Sequence, residues 1–317
     1  MTQTTDTRAH FNDAEINARV DELLDPELLE ECAEMLERSR DYRVLRRLRP
    51  RNEFLPDDPR VKKKTGIILD VETTGIDPTV DEIVELAMIK FSYAEDGRVF
   101  RVINRWSAIR QPSRPIPPDI VALTGLTDEM VAGSRIDGGA IERFIEGADI
   151  VISHSAAYDR KFVEVLFSVF RDVDWGCSYE QIDWNAEDRR LGRLLLLLAS
   201  MGFYYDSHRA LADAQALLEV LARPLPKTKS WPLAQILAAR KPSVKIWVEA
   251  PFAAKEFLKM RGYRWWNGRK GPRPKAWWRE LKPDDVKAEI AALLAEHPRI
   301  KTRTSALTAK DRFSIRA

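Results

Sequence analysis

Two carboxylates set two residues apart open the chemistry of this chain. Asp70 and Glu72 close the run Gly66-Ile67-Ile68-Leu69-Asp70-Val71-Glu72, which Thr73-Thr74-Gly75 stops. The apolar run reads as a strand, and its period of two puts both acids on one face at the C-terminal end. Like charges there repel unless a cation lies between them, and hard oxygen ligands suit Mg²⁺ or Mn²⁺. A solvated pair of acids at a strand end fits the same spacing, so this pair alone does not decide. Asp159 follows a second apolar strand, Asp149–Ser153, and opens a helix, so it too lies at a strand end, where open α/β sheets place ligands. The macrodipole alone also favours an acid there. The run His208-Arg209-Ala210-Leu211-Ala212-Asp213 then supplies an imidazole on the loop before a helix and a fourth carboxylate within it. Histidine is the side chain best placed to take a proton near neutral pH, and this chain has only four. His154, five residues before Asp159, reads as a structural neighbour rather than a second base. No G-x-S-x-G elbow accompanies Ser207, which excludes a serine hydrolase, and no P-loop is present, which excludes an ATP-driven motor.

Positioning four acids and a histidine requires a sheet with helices on it. Strands are expected at 66–72, 82–93, 99–109 and 149–153. Helices are expected at 118–123, 127–132, 137–146, 158–170, 191–201 and 209–221. Three strands followed by alternating helix and strand make an α/β class with a mixed sheet. Residues 1 to about 20 read as a flexible tail, 26–48 as two short helices and 50–64 as a proline-rich linker. Arg223-Pro224-Leu225-Pro226-Lys227 breaks the pattern and marks a boundary. The expected division is therefore 1–64 N-terminal extension, 65–222 catalytic domain and 223–317 a small basic α+β module. In that module, helices are expected at 233–240, 251–262 and 284–297, and strands at 244–249, 263–266 and 276–278, before a basic tail.

Charge supports the division. Residues 1–222 carry 28 basic against 41 acidic residues, a net of −13, whereas 223–317 carry 23 against 8, a net of +15. Six of the nine tryptophans fall between Trp231 and Trp278. Cations interleaved with aromatic rings suit a polyanion whose bases can stack, so the basic module is expected to grip nucleic acid. On that reading, truncation near Pro226 leaves turnover intact. A hydrophobic fraction of 44% with 32% charged residues excludes wholesale disorder and fibrous classes. There is no uninterrupted apolar run of 18 residues and no signal-peptide pattern, and only two distant cysteines, so a cytoplasmic protein without membrane contact is expected.

Three motifs together resemble the DEDDh, DnaQ-like 3′–5′ exonucleases of the ribonuclease H-like superfamily, including bacterial polymerase III epsilon-like proteins. They are Leu69-Asp70-Val71-Glu72-Thr73-Thr74-Gly75, Ser153-His154-Ser155-Ala156-Ala157-Tyr158-Asp159 and His208-Arg209-Ala210-Leu211-Ala212-Asp213-Ala214, with Ala122-Leu123-Thr124-Gly125-Leu126-Thr127 between the first two. Ser155 stands where the family often has Asn, and Tyr158 where it has Phe, both outside the metal ligands. The resemblance implies a ribonuclease H-like mixed sheet flanked by helices over about 66–221. It also implies two divalent cations held by Asp70, Glu72, Asp159 and Asp213, with His208 as the general base. Thr73, Thr74, Leu123 and Tyr158 would lie by the 3′-terminal nucleotide. The implied activity is metal-dependent hydrolysis of nucleic acid from single-stranded 3′ ends, DNA favoured over RNA, releasing nucleoside 5′-monophosphates. The alternatives are a proofreading subunit working with a polymerase or another replication or repair protein, and a non-catalytic nucleic-acid-binding adaptor.

Overall fold

Ile67, Ile68, Leu69 and Val71 are apolar in succession because the strand they form is covered on both faces. The computed structural model describes residues 25–187, 192–268 and 275–316. In chain order its elements are α1 (Pro26–Glu37), β1 (Arg46–Arg47), β2 (Lys63–Thr73), β3 (Ile83–Ala94), β4 (Val99–Ile109), α2 (Pro118–Thr124), α3 (Asp128–Val131), α4 (Gly138–Ile145), β5 (Ile150–Ser153), α5 (Ala156–Leu166), β6 (Trp175–Cys177), α6 (Ser178–Gln181) and α7 (Leu194–Ser200). There follow β7 (Phe203–Tyr204), α8 (Ala210–Leu221), α9 (Pro232–Ala238), β8 (Ser243–Glu249), α10 (Lys255–Met260), β9 (Arg264–Trp266), β10 (Ala276–Leu281), α11 (Val286–Glu296) and β11 (Lys301–Leu307).

A five-stranded sheet in the order β4-β3-β2-β5-β6 carries the site. β3 runs antiparallel to both of its neighbours, β2 and β4, whereas β5 runs parallel to β2 and β6 parallel to β5. Ile67, Leu69 and Val71 pack on one side with Ile141, Phe144, Phe162 and Val163 of α4 and α5. Ile68 packs on the other with Leu197, Leu198, Ala214, Leu217 and Leu221 of α7 and α8. Asp70 and Glu72 continue the Ile68 row, so both acids emerge on the side that α8 covers. This is the expected mixed sheet between helices.

Local pattern misled in four places, in three of them because a distant partner decided the outcome. Residues 42–48 are not a second helix. Arg46 and Arg47 instead pair in parallel with Phe203 and Tyr204, and Leu48 packs against the core. The proline-rich stretch is not a free linker, since Phe54 N donates to Phe100 O and Val102 N to Asn52 O along the β4 edge. The strand β6 went unread because Trp175-Gly176-Cys177 is too short to show a period. The basic tail forms β11, an antiparallel neighbour of β8. The expected flexible tail at 1–20 lies outside the described residues.

The chain crosses the expected boundary at Arg223 without leaving the core of the first sheet. Leu225, Leu233 and Ile236 are buried with α8 residues, and α9 sits so close that only glycine fits beneath it. A Cβ on Gly176 would lie 2.4 Å from Ile236 Cγ2, and one on Gly97 would lie 2.4 Å from Ala234 N. Beyond α9 a four-stranded antiparallel sheet, β11-β8-β10-β9, has its own core of Ile246, Val248, Leu258, Tyr263, Trp277 and Leu293. After β11 the chain returns to the first sheet, where Ala309 O accepts from Trp175 N at 3.0 Å. Arg160, ion-paired with Glu164 at 2.6 Å and fully buried, donates to Arg312 O and Lys310 O. Ser314 Oγ donates to Glu164 at 2.7 Å. A cut near Pro226 would therefore strip α9 from the core and leave the buried Arg160–Glu164 pair without its backbone acceptors. Among the described residues no helix is long and apolar enough to cross a membrane.

Candidate metal and catalytic site

Three carboxylates converge where β2 ends. Asp70, Glu72 and Asp213 each offer an oxygen, all within 4.8 Å of one another. Strand period brings the first two to one face, and α8, lying on that face, brings the third. A register shift between Glu72 and Thr73 bends the strand at this point, where the chain enters the Gly75 turn. Asp159, in the first turn of α5, is buried, and the backbone of Val71 hydrogen-bonds to it. It lies outside that group of three, yet its charge ranks first among those acting on Asp70.

Electrostatics in this corner are unfavourable to anions. Burial, then the charges of Asp159, Asp213, Glu72 and Glu85, push the Asp70 carboxyl well above the usual carboxylate range. Burial followed by Asp213 and Glu85 pushes Glu72 up to about 8. Burial pushes Asp159 up to about 8 against the hydrogen bonds that favour its anion. Burial also raises Asp213, although Tyr205 and the His208 and Arg209 amides pull it down. Carboxylates so crowded bind protons more tightly than usual without a cation and give them up to one, so this donor set of four hard oxygen ligands fits divalent cations.

His208 is exposed and adopts φ 66°. That left-handed conformation is uncommon for a non-glycine residue, although histidine is among those enriched there. Asp213 maintains it, with Oδ2 accepting from His208 N at 2.7 Å and from Arg209 N at 3.2 Å. Its other oxygen, Oδ1, accepts from the Tyr205 hydroxyl at 2.7 Å. His154 differs in every respect. Its Nδ1 hydrogen-bonds Ser178 Oγ at 2.8 Å, and burial pushes it down to about 4, so it is neutral at physiological pH.

The four residues expected by the terminal nucleotide divide. Thr73 Oγ1 and the Tyr158 hydroxyl hydrogen-bond each other and both reach Gly75 O, Tyr158 at 3.1 Å, so they brace the turn beside Glu72. Thr74 Oγ1 accepts from Glu82 N at 3.0 Å and fixes the far side of that turn. Leu123 is 49% exposed on α2, outside the small cluster of Val84, Ile116, Leu126 and Val131. No contact in the described residues ties it to the carboxylates.

Sequence reasoning passed over Glu85, Arg209 and Tyr205. Glu85 lies directly across from Glu72 on β3, an arrangement of like charges that destabilises a sheet unless it is compensated. Arg209 compensates it with two bonds of 3.1 Å, and Glu85 also accepts from Ala210 N at 3.0 Å. The signal was a lone acid inside the apolar run Ile83-Val84-Glu85-Leu86-Ala87, since an acid so surrounded needs a partner.

Residues 67–221 match the family model described as an exonuclease. A DNA polymerase III of the PolC type from Thermotoga maritima is 29% identical over 181 residues, which are 53% of this chain and 12% of that polymerase. The PolC-type polymerase of Bacillus subtilis is 33% identical over 116 residues, 36% of this chain and 8% of its own. The chain thus spans about a tenth of the length of these curated relatives. Among solved structures, E. coli exonuclease I bound to single-stranded DNA aligns at TM-score 0.49 and 14% identity, covering 75% of this chain and 72% of that one. Exonuclease X with 5′-overhanging duplex DNA aligns at TM-score 0.37 and 24% identity, covering 55% and 98%.

Proposed function

We propose that this chain, whose residues 67–221 match an exonuclease family model, is a DnaQ-like, metal-dependent 3′–5′ exonuclease of the ribonuclease H fold that removes nucleotides from single-stranded DNA ends. The observation that carries the reading is the convergence of Asp70, Glu72 and Asp213 within 4.8 Å, with the His208 loop hydrogen-bonded to the third of them. Two divalent cations, Mg²⁺ or Mn²⁺, held by these three and by Asp159 would neutralise the phosphodiester and supply Lewis acidity. His208 takes the proton of the attacking water. The water oxygen bonds to the terminal phosphorus, the bond to the neighbouring 3′-oxygen breaks, that oxygen takes a proton from solvent to become the new 3′-hydroxyl, and a nucleoside 5′-monophosphate leaves. Asp213 sets the histidine's backbone, Tyr205 sets Asp213, and the Glu85–Arg209 pair anchors the start of α8. Thr73 and Tyr158 support the reading as a brace for the turn that carries Glu72.

The test is digestion of 5′-labelled DNA oligonucleotides with Mg²⁺, with Mn²⁺ and with EDTA, beside matched RNA. A ladder shortening from the 3′ end, absent in EDTA, is expected. Internal cuts, shortening from the 5′ end, or full activity in EDTA overturns the proposal. The kinship with polymerases favours a second reading, a proofreading role beside a polymerase. It requires a stable complex with a replicative polymerase and faster removal of a mismatched 3′ nucleotide than of a paired one.

A further inference from the structure

The four-stranded sheet has two unlike faces. One carries Ile246, Val248 and Trp277 into the small core with α10 and α11. Register puts different residues on the other face. Trp278 lies between Trp247 and Arg264 on its neighbouring strands, Arg303 lies beyond Trp247, and Trp266 pairs with Ala276. Lys245 shares that face by the period of two. Lys245, Trp247, Trp266 and Trp278 are half-buried, and Arg264 and Arg303 are exposed. Three tryptophans thus share the face opposite the core of Ile246, Val248 and Trp277.

Their contacts point to an anion. The Trp247 and Trp278 rings lie 6.3 Å apart, with Lys245 Nζ 5.2 Å and 4.7 Å from their centroids and the Arg264 guanidinium 5.6 Å from that of Trp278. The acids on this face are already taken, Glu249 by Arg303 at 2.8 Å and Glu280 by Arg312 at 2.9 Å. Lys245, Arg264, Lys301, Arg303 and Arg312 against those two acids leave an excess of three positive charges. We propose that this face binds single-stranded DNA, its tryptophans stacking on bases and Lys245, Arg264 and Arg303 meeting phosphates. Unpaired bases expose the ring faces that stacking needs, and stacking on a base outweighs a cation–π contact at a surface. The choice of DNA rests on the exonuclease reading above; the choice of a single strand rests on this face alone.

The experiment is fluorescence anisotropy of a labelled dT oligonucleotide with the full chain in EDTA, where binding proceeds without turnover. In the triple variant Lys245→Ala, Arg264→Ala, Arg303→Ala the Kd should rise at least tenfold. The slope of log K against log salt should become shallower by about 2, from three lost single-strand phosphate contacts. Trp278→Ala should weaken binding about fivefold or more with the salt slope unchanged. Arg264→Lys with Arg303→Lys, which keeps the charges, should bind within threefold of the parent and exclude a merely structural effect. Unchanged Kd and slope in the triple variant, an oligonucleotide that fails to bind the parent, or duplex bound as tightly as single strand overturns the proposal. Tenfold preference for RNA overturns the assignment to DNA. The Asp70→Asn chain separates the two readings: it should retain this binding, and loss of binding there with none in the triple variant places all affinity at the carboxylates.

Discussion

Withdrawing divalent cations and raising the pH should destabilise this protein at its carboxylate cluster. Glu72 and Asp159, held near 8 by burial and neighbouring carboxylates, keep their protons in the folded chain at pH 7. In the unfolded chain both are ionised throughout the neutral range. The folded state therefore binds more protons, and stability falls as pH rises through the folded values. Between pH 7 and 9 a carboxyl with a folded value of about 8 loses about 1.4 kcal/mol, so the two together lose about 3 kcal/mol. For a chain of 317 residues, with an unfolding entropy of about 2.1 cal/mol/K per residue, that lowers Tm by about 4–5 °C. His154, pushed down to about 4, has the opposite sign and completes its change below this window. The assay is thermal unfolding at pH 7, 8 and 9 in EDTA, repeated with Mg²⁺, which replaces the protons and should flatten the dependence. Glu72→Gln cannot ionise and should remove about half of the slope. A Tm in EDTA that stays level or rises from pH 7 to 9, or a Glu72→Gln slope equal to the parent's, refutes the reasoning.

Asp70→Asn or Asp213→Asn should cut nucleotide release by orders of magnitude while the circular-dichroism spectrum stays native; near-parent rates in either would remove it from the machinery. His208→Ala should slow hydrolysis about 10²–10⁴-fold. His154→Ala should act mainly on Tm, because that ring is buried against Ser178, and the reverse ranking of rates would mean that the wrong histidine has been assigned the base. Arg209→Ala should lower stability by about 1–3 kcal/mol by leaving the buried Glu85 carboxylate without its cation, and Arg209→Ala with Glu85→Gln should recover much of it in denaturant melts. Leu233→Ala, in the segment just past the expected boundary, should cost about 2–5 kcal/mol, and a stable, fully active chain ending at Pro226 would contradict the packing described here.

The sequence by itself placed the candidate acids and the histidine and gave their order along the chain. Strand and helix periods put Asp70 and Glu72 at the end of one apolar strand, Asp159 after a second one and His208 five before Asp213, and the resemblance of the three motifs to the DEDDh exonucleases joined them into one site. Those signals are local, and a local period survives in any fold that buries the apolar residues. The charge asymmetry and the clustered tryptophans were legible for the same reason, since counting needs no coordinates. What the tertiary structure decided is every feature that depends on residues far apart in the chain. Glu85 matters because β3 lays it opposite Glu72 and α8 brings Arg209 to it, a pairing separated by 124 residues. Within residues 42–48, Arg46 and Arg47 form a strand instead of a helix because β7 offers backbone partners that outweigh the helical spacing. Leu233 and Ile236, beyond Pro224 and Pro226, are buried in a core begun more than a hundred residues earlier, at Ile68 and Ile89, a contact that no local pattern announces. The tail at 309–316 is fastened because Arg160 and Glu164, buried together, need polar partners that only the returning chain supplies. Prolines and charges punctuate a sequence, but buried area and satisfied hydrogen bonds decide where a domain ends.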